Sequence, residues 1–279
     1  MHSGHWLFTQ GGAGAVFKHV NTVFGTNDEM KSLFGIAKVT PGIGCQITDN
    51  LSVGVSASLV YVSIKQKFFM NSSNPLFQGF SNWGAKTLRL GFKMGAQYKV
   101  NDDWTLGASY TEKTDLPLTG GTAIYNRDDL GLGSVKYNNL SIKGFTLPRE
   151  VAVGAAFKPT ADLLLSAKIN WINWADVIND VTTSATDPEN SAAPPIITVN
   201  QQNWRNQLVY ALGAAYTYDY KTTLYAGYNH GNNPMPTQSS NPLLAAILED
   251  HITVGFARKL NDTWKLTNGV EFLLPKKVD

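Results

Sequence analysis

The stretch LRLGFKMGAQYKVNDDWTLGASYT, residues 88–111, decides the fold. Up to Val100 its residues sort by parity: Leu88, Leu90, Phe92, Met94, Ala96, Tyr98 and Val100 alternate with Arg89, Gly91, Lys93, Gly95, Gln97 and Lys99. Side chains of a β-strand point to opposite faces with period two, so one face is apolar and the other is small or charged. Asn101-Asp102-Asp103 then forms a tight turn, because these side chains bond to nearby backbone and tolerate left-handed angles. Beyond it Leu106, Ala108 and Tyr110 alternate with Thr105, Gly107, Ser109 and Thr111.

The same unit recurs along the chain. Turns at Thr48-Asp49-Asn50, Thr160-Ala161-Asp162, Asp219-Tyr220-Lys221 and Asn261-Asp262-Thr263 are each flanked by alternating segments, such as Val53, Val55, Ala57, Leu59 and Tyr61 against Ser52, Gly54, Ser56 and Ser58. Five hairpins give about ten strands. Between them lie long Gly-, Asn- and Pro-rich connections at 67–85, 117–140, 177–202 and 230–249. Short turns at one end and long loops at the other describe an antiparallel transmembrane β-barrel of the outer-membrane type, which closes so that no backbone edge meets lipid. A sandwich or lipocalin shares the alternation but turns its apolar face inward, and alternation alone does not say which face is wet.

Composition agrees with an all-β chain. Of 279 residues 43% are hydrophobic, 11% aromatic and 16% charged, with 25 glycines. The net charge of +2, with no block of like charges, excludes the electrostatic footprint of a nucleic-acid partner. Cys45 is the single cysteine, so no internal disulfide forms. No run of 18 apolar residues exists, and MHSGHWLF has none of the features of a signal peptide.

Two Asn-Trp pairs in INWINW, residues 169–174, mark a membrane interface, where indole rings sit with one end apolar and the other wet. Parity sends Trp171 toward lipid, and a bulge near Ile172 brings Trp174 into the same girdle. Trp104 and Trp264, just after tight turns, belong to the opposite girdle.

Several stretches resemble the FadL/TodX family of outer-membrane transporters for hydrophobic compounds. They are NTVFGTNDEMKSLFG (21–35), FTLPREVAVG (145–154), KINWINWADV (168–177), QLVYALGAAYTY (207–218), LYAGYNHGNNPMP (224–236) and NPLLAAILEDHITVGF (241–256). The resemblance implies a fourteen-stranded barrel with an N-terminal hatch, in the outer membrane of a Gram-negative bacterium. It also implies passive uptake of long-chain fatty acids or aromatic hydrocarbons, which leave sideways through the wall. Against that pattern residues 1–279 read as one partial barrel domain, with the hatch, the early strands and the last strand outside the sequence.

A hydrophobic cargo calls for apolar surface among the outer loops and a cation for any carboxylate. Phe77, Leu243, Leu244, Ile247 and Leu248 supply apolar loop surface. By position in the resemblance Arg205, Lys65 and Lys67 are the head-group candidates, which favours fatty acids over aromatic hydrocarbons. Arg89, Lys93, Lys168, Lys265 and Glu271 fall on the polar parity and line the lumen.

Catalysis finds no support here. The histidines at 2, 5, 19, 230 and 251 include no HExxH pair, no GxSxG is present, and His251 beside Glu249 and Asp250 makes a hydrolase only by assumed loop geometry. His2 and His5 are too few ligands for a metal site. The expected partners are a hydrophobic small molecule, the lipid bilayer and lipopolysaccharide, around a monomer without metal or organic cofactor. A water-filled general porin is the other transport reading.

Overall fold

The computed structural model describes residues 2–23, 25–74, 76–239 and 248–276, and side chains from residue 14 onward. Eleven strands form an antiparallel wall among the described residues, each paired with the next in the chain's own order. They are β1 (His2–Asn21), β2 (Asn27–Gln46), β3 (Leu51–Asn74), β5 (Lys86–Lys99), β6 (Trp104–Thr111) and β11 (Glu150–Thr160), followed by β12 (Leu163–Ile172), β15 (Gln207–Thr217), β16 (Thr222–Gly231), β17 (Asp250–Lys259) and β18 (Lys265–Leu273). All five expected turns join wall strands at one end. Asn101 shows why its residue type recurs there: its side-chain oxygen accepts the N–H of Asp103 at 3.0 Å and of Trp104 at 2.8 Å. Asn261 does the same for Thr263 and Trp264.

The wall has one strand more than the hairpin reading counts. β1 pairs with β2 from His2↔Gly44 to Asn21↔Asn27, with register shifts at Thr9/Gly11 and Phe17/Val20. Those irregularities, together with Gly11, Gly12 and Gly14, erase its alternation in the sequence.

A second departure is larger. Three of the four long connections are ordered as strands: β4 (Phe77–Trp83), β8 (Leu118–Asn126), β9 (Ser134–Lys143), β13 (Asp180–Pro188) and β14 (Ile196–Gln201). A small pair, β7 (Thr114–Asp115) with β10 (Thr146–Leu147), lies beside them. The sheet forks on β3. From Leu51 to Ser63 this strand pairs with β5, and from Gln66 onward it pairs with β4, which leads through β8, β9 and β13 to β14. The five strands form an arm at the end opposite the tight turns.

The two wall faces differ as parity requires. One carries Leu90, Phe92 and Leu212, each more than half exposed (60%, 56% and 60%). Apolar side chains exposed in this number would be unstable against water and are stable against lipid. On β5 the apolar row runs from Leu88 to Tyr98 and continues to Val100. It spans roughly 40 Å of strand, or about 30 Å along the membrane normal at the tilt of such barrels, which matches the hydrocarbon thickness. The other face is built of Gly, Ser, Ala, Thr and scattered charges. Gly44, Gly54 and Gly95 stand in one row of it, and Gly213 faces Gly227.

Arginine at Met94, in the middle of the apolar row, is expected to lower stability by about 2–4 kcal/mol, whereas arginine at Gln97 on the opposite face costs less than about 1 kcal/mol. Urea unfolding in phospholipid vesicles checks this. Equal losses at the two positions would mean that the faces have been assigned the wrong way round.

Candidate functional site

The inner face changes character along β3. Ser52, Gly54, Ser56 and Ser58 give way to Val60, Val62 and Ile64, which are 5% exposed or less. On β2 the corresponding change runs from Gly42 and Thr40, through Lys38, to Ile36 and Phe34, with Thr40 and Ser58 hydroxyls joined at 2.8 Å. The arm covers this apolar end: Leu118, Ala123, Tyr137, Leu140, Ile142 and Ala185 are fully buried in one cluster with the three β3 residues. Burying a side chain of that size contributes about 1.5–3 kcal/mol, so the arm is held on the wall mainly by this contact. Stacked rings extend it, Phe68 on Phe80 at 5.0 Å and Phe80 on Tyr125 at 5.4 Å. Burial pushes the Tyr125 hydroxyl up to about 12, so this ceiling carries no charge from it at neutral pH.

Polar bonds fix the arm's register. The Arg127 guanidinium pairs with Asp129 at 3.2 Å and donates to the Tyr137 hydroxyl, which donates to Pro194 O at 3.0 Å. Gly121 runs against Ala85, where an added Cβ would sit 2.7 Å from the Ala85 backbone nitrogen.

Beneath the ceiling is a shallow, open recess of about 390 Å³ along Thr40, Gly42, Gly54, Ser56, Lys93 and Gly95, with Ile43, Val55 and Met94 of the opposite parity also at its edge. Lys93 lies opposite Ser56, and Lys38 stands between the recess and the apolar layer, opposite Val60. The charges of Glu150 and Lys93 both reach Lys38. Glu150 also accepts a bond from Asn170, a buried residue, at 3.1 Å. The site therefore pairs an apolar roof with two ammonium groups and one carboxylate.

Neither Lys38 nor Glu150 stands out in the sequence, and Asn170, which strand parity turns inward, carries no sign there of its bond to Glu150. The signal for Lys38 was available: it is the one charge among the even-numbered residues of MKSLFGIAKVTPG. Phe34 and Ile36 on that parity hide which face is wet.

The head-group candidates are not brought together. Lys65 and Lys67 lie on the parity opposite to Ile64, away from the lumen, and Lys67 is paired with Glu29 at 3.1 Å. Both depart from the expected position because β3 alternates without a break up to Phe68. Arg205 is exposed in the connection before β15, its backbone N–H bonded to Pro234 O, with β5, β6, β11 and β12 between it and β3. Phe77 is half-buried at the start of β4 against Phe69. Leu248 is half-buried just ahead of β17, and Leu243, Leu244 and Ile247 lie outside the described residues, as do the side chains of His2 and His5.

Lys93, Lys168, Lys265 and Glu271 stand on the inner parity, with Glu271 joined to His251 at 2.9 Å. Arg89 shares that parity and donates to Leu88 O at 3.0 Å. His230 bonds Asp250 on the outer face, so the two histidines sit on opposite sides of the wall.

Trp104 and Trp264 are exposed on the lipid side near the tight turns, Trp104 stacked on Phe157 at 4.4 Å. Trp171 is half-buried at the other end of the wall. Trp174 departs from the girdle expected for it. It opens a one-turn 3-10 helix (Trp174–Asp176) instead of continuing β12 and packs edge-on against Trp204 at 4.9 Å, with Val177, Ile178 and Met235. Its Nε1–H donates to Gln207 at 3.3 Å. The outer loops thus hold a second, smaller apolar cluster.

An antiparallel wall with a lipid-compatible exterior, a small-residue lumen and an arm over one mouth defines an outer-membrane β-barrel. The sequence model of the outer membrane protein transport protein family (OMPP1/FadL/TodX) matches residues 20–279, and the chain belongs to that family. No curated protein sequence matches it. Among solved structures, the toluene transporter TodX of Pseudomonas putida is similar with a TM-score of 0.80 at 19% identity, over 99% of this chain and 74% of that one. The toluene transporter TbuX of Ralstonia pickettii gives 0.75 at 19% identity, over 98% and 72%. A FadL homologue from Pseudomonas aeruginosa gives 0.68 at 17% identity, over 88% and 61%. At these identities the likeness is one of fold.

Glu249 holds the connection that carries Met235: it accepts the Asn233 N–H at 2.8 Å and pairs with Lys276. The Lys276 ammonium, and then the Asn233 N–H, hold its carboxyl below the usual range. Its contribution is therefore complete above the ordinary carboxylate pKa and is lost as pH falls through the lower folded value. Hydrogen-exchange protection of residues 231–239 should be constant from about pH 7 to about pH 5 and fall below about pH 4. Glu249→Gln should show low protection throughout. Protection independent of pH in the parent would dissociate the loop from this carboxylate.

Proposed function

We propose that this family member takes up hydrophobic molecules bearing a carboxylate, long-chain fatty acids being the class that fits. The observation that carries the reading is the placement of Lys38 and Lys93 directly beneath an uncharged apolar roof. An acyl chain gains by leaving water for the roof, and its head group gains charge-assisted bonds from the two ammonium groups. Glu150 offsets one of the two charges when the site is empty, which lowers the cost of holding two cations together. The cluster of Trp174, Trp204 and Met235 offers a first apolar contact at the outer mouth.

Departure through the wall is supported at one seam. The β2–β3 ladder is interrupted at Thr40 and Pro41, opposite Ala57 and Ser58, where proline has no N–H to give. That seam adjoins the recess, so a cargo held there has an interrupted stretch of the wall beside it.

Uptake of aromatic hydrocarbons is the second reading, favoured by the ring stacks Phe68–Phe80–Tyr125 and Trp174–Trp204. TodX and TbuX are described as toluene transporters. A water-filled general pore agrees poorly with the fifteen buried apolar or aromatic side chains packed across the outer end.

Binding of labelled oleate and toluene to the refolded protein separates the cargo readings. Replacing Lys38 and Lys93 together by alanine should weaken oleate by about tenfold to a hundredfold and leave toluene unchanged, as expected for loss of charge-assisted hydrogen bonds. Toluene binding with no saturable oleate binding would reject the carboxylate reading in favour of the aromatic one.

Restoring the missing donor with Pro41→Val should slow transfer of bound oleate into liposomes by at least about threefold while the affinity stays within about twofold. Unchanged transfer would place the exit elsewhere.

A further inference from the structure

Among the described residues the lipid-facing side of the wall, at the end opposite the tight turns, carries a group of cations with more positive than negative charge. Lys31 on β2 lies directly opposite Lys67 on β3, and Lys65 lies opposite Leu33 two positions further along. Lys86 begins β5 opposite Ser63, on the parity of Leu88. Lys18 on β1, Lys31 and Lys67 all fall within electrostatic reach of Glu29. Lys31, Lys65, Lys67 and Lys86 point away from the lumen, since Ile64 between Ser63 and Lys65 is buried in the inner cluster, and Lys18 is exposed within the register shift between Phe17 and Val20.

Like charges directly opposed across a strand pair are destabilising, so the Lys31–Lys67 pairing needs an anion. Glu29 meets Lys67 alone. Among the described residues no carboxylate comes within ion-pair distance of Lys18, Lys31, Lys65 or Lys86. Elsewhere at the same end of the wall the balance is different. Arg149 meets Glu112 at 3.1 Å, and Lys113 meets Asp176 at 3.0 Å.

The height of these cations identifies the missing anion. They follow directly on Leu33, Tyr61 and Leu88, where the exposed apolar row ends at the side opposite the tight turns. In an outer membrane that level is the head-group layer of the outer leaflet, and the anions held there by the bilayer are phosphates on the glucosamines of lipid A. Long lysine stems lie along apolar surface and bring the ammonium to the interface. We propose that Lys18, Lys31, Lys65 and Lys86 form a docking strip for lipid A phosphates on the outer face of β1, β2, β3 and β5. The strip rests on the outer-membrane placement of the wall and is independent of which cargo the lumen takes.

The test is native mass spectrometry of the refolded full chain in neutral detergent, titrated with bis-phosphorylated lipid A and with the same lipid after removal of its phosphates. The parent should bind the phosphorylated form more tightly by at least about tenfold, given the usual contribution of a lysine at an anionic surface. A combined Lys31→Gln, Lys65→Gln, Lys86→Gln variant, its folding checked by heat-modifiable gel mobility, should lose that preference. Glu29→Gln, which frees Lys67, should bind the phosphorylated lipid more tightly than the parent. Excess inorganic phosphate should not displace the lipid. Equal binding of the two lipids, no loss in the lysine variant, weaker binding by Glu29→Gln, or displacement by inorganic phosphate would each overturn the strip. The Lys38 and Lys93 alanine variant should keep the lipid preference. Loss there would merge the strip with the cargo site.

Discussion

Hydrocarbon offers no partner to a backbone N–H or C=O, and the structure follows from that constraint. From β2 to β17 each wall strand pairs on both sides, and consecutive strands run antiparallel and are joined by tight turns at one end. Pairing in turn fixes the side chains to alternate faces, one set against lipid and the other against the lumen. The long row Leu88–Val100 and the glycines facing one another across Gly44, Gly54 and Gly95 are two consequences of the same ladder.

The constraint weakens where the chain leaves the hydrocarbon, and there the strands change use. β3 continues beyond Ser63, exchanges β5 for β4 as its neighbour and carries the arm back across the inner face of the wall. Wall and arm share one strand, so the ceiling is rigidly tied to the barrel. Below it, Lys38 and Lys93 occupy the boundary between a packed apolar layer and a lumen of small side chains. Boundaries of that kind can read both halves of an amphipathic molecule.

How far the sequence could be read depended on how different the two faces were. Along β5 apolar residues alternate with Arg89, Lys93 and Lys99, and the strand was legible with its turn. Along Phe34, Ile36, Val60 and Val62 the inner face is as apolar as the outer one, so parity gives no contrast and Lys38 stays hidden between them. The arm escaped for another reason. Its strands are short, and LTGGTAIYN slips register around Gly121, so its alternation never runs long enough to stand out among glycines and asparagines. Trp174 was misplaced because Asn173 leaves the strand for a single 3-10 turn, which INWINW does not signal. The resemblance puts Lys65 and Lys67 at the head group by position, whereas the unbroken parity of β3 turns them outward.

The most direct test of this arrangement is a cysteine scan of β3 from Ser52 to Ile64, in a Cys45→Ser background, with a water-soluble maleimide applied to the detergent-solubilised protein. The structure requires labelling at positions 52, 54, 56 and 58, where the lumen is wet. It requires protection at 53, 55, 57, 59 and 61, which face the micelle, and at 60, 62 and 64, which the arm covers. Labelling at 60, 62 and 64 as fast as at 56 would contradict the apolar ceiling, and labelling confined to the odd positions would contradict the barrel itself.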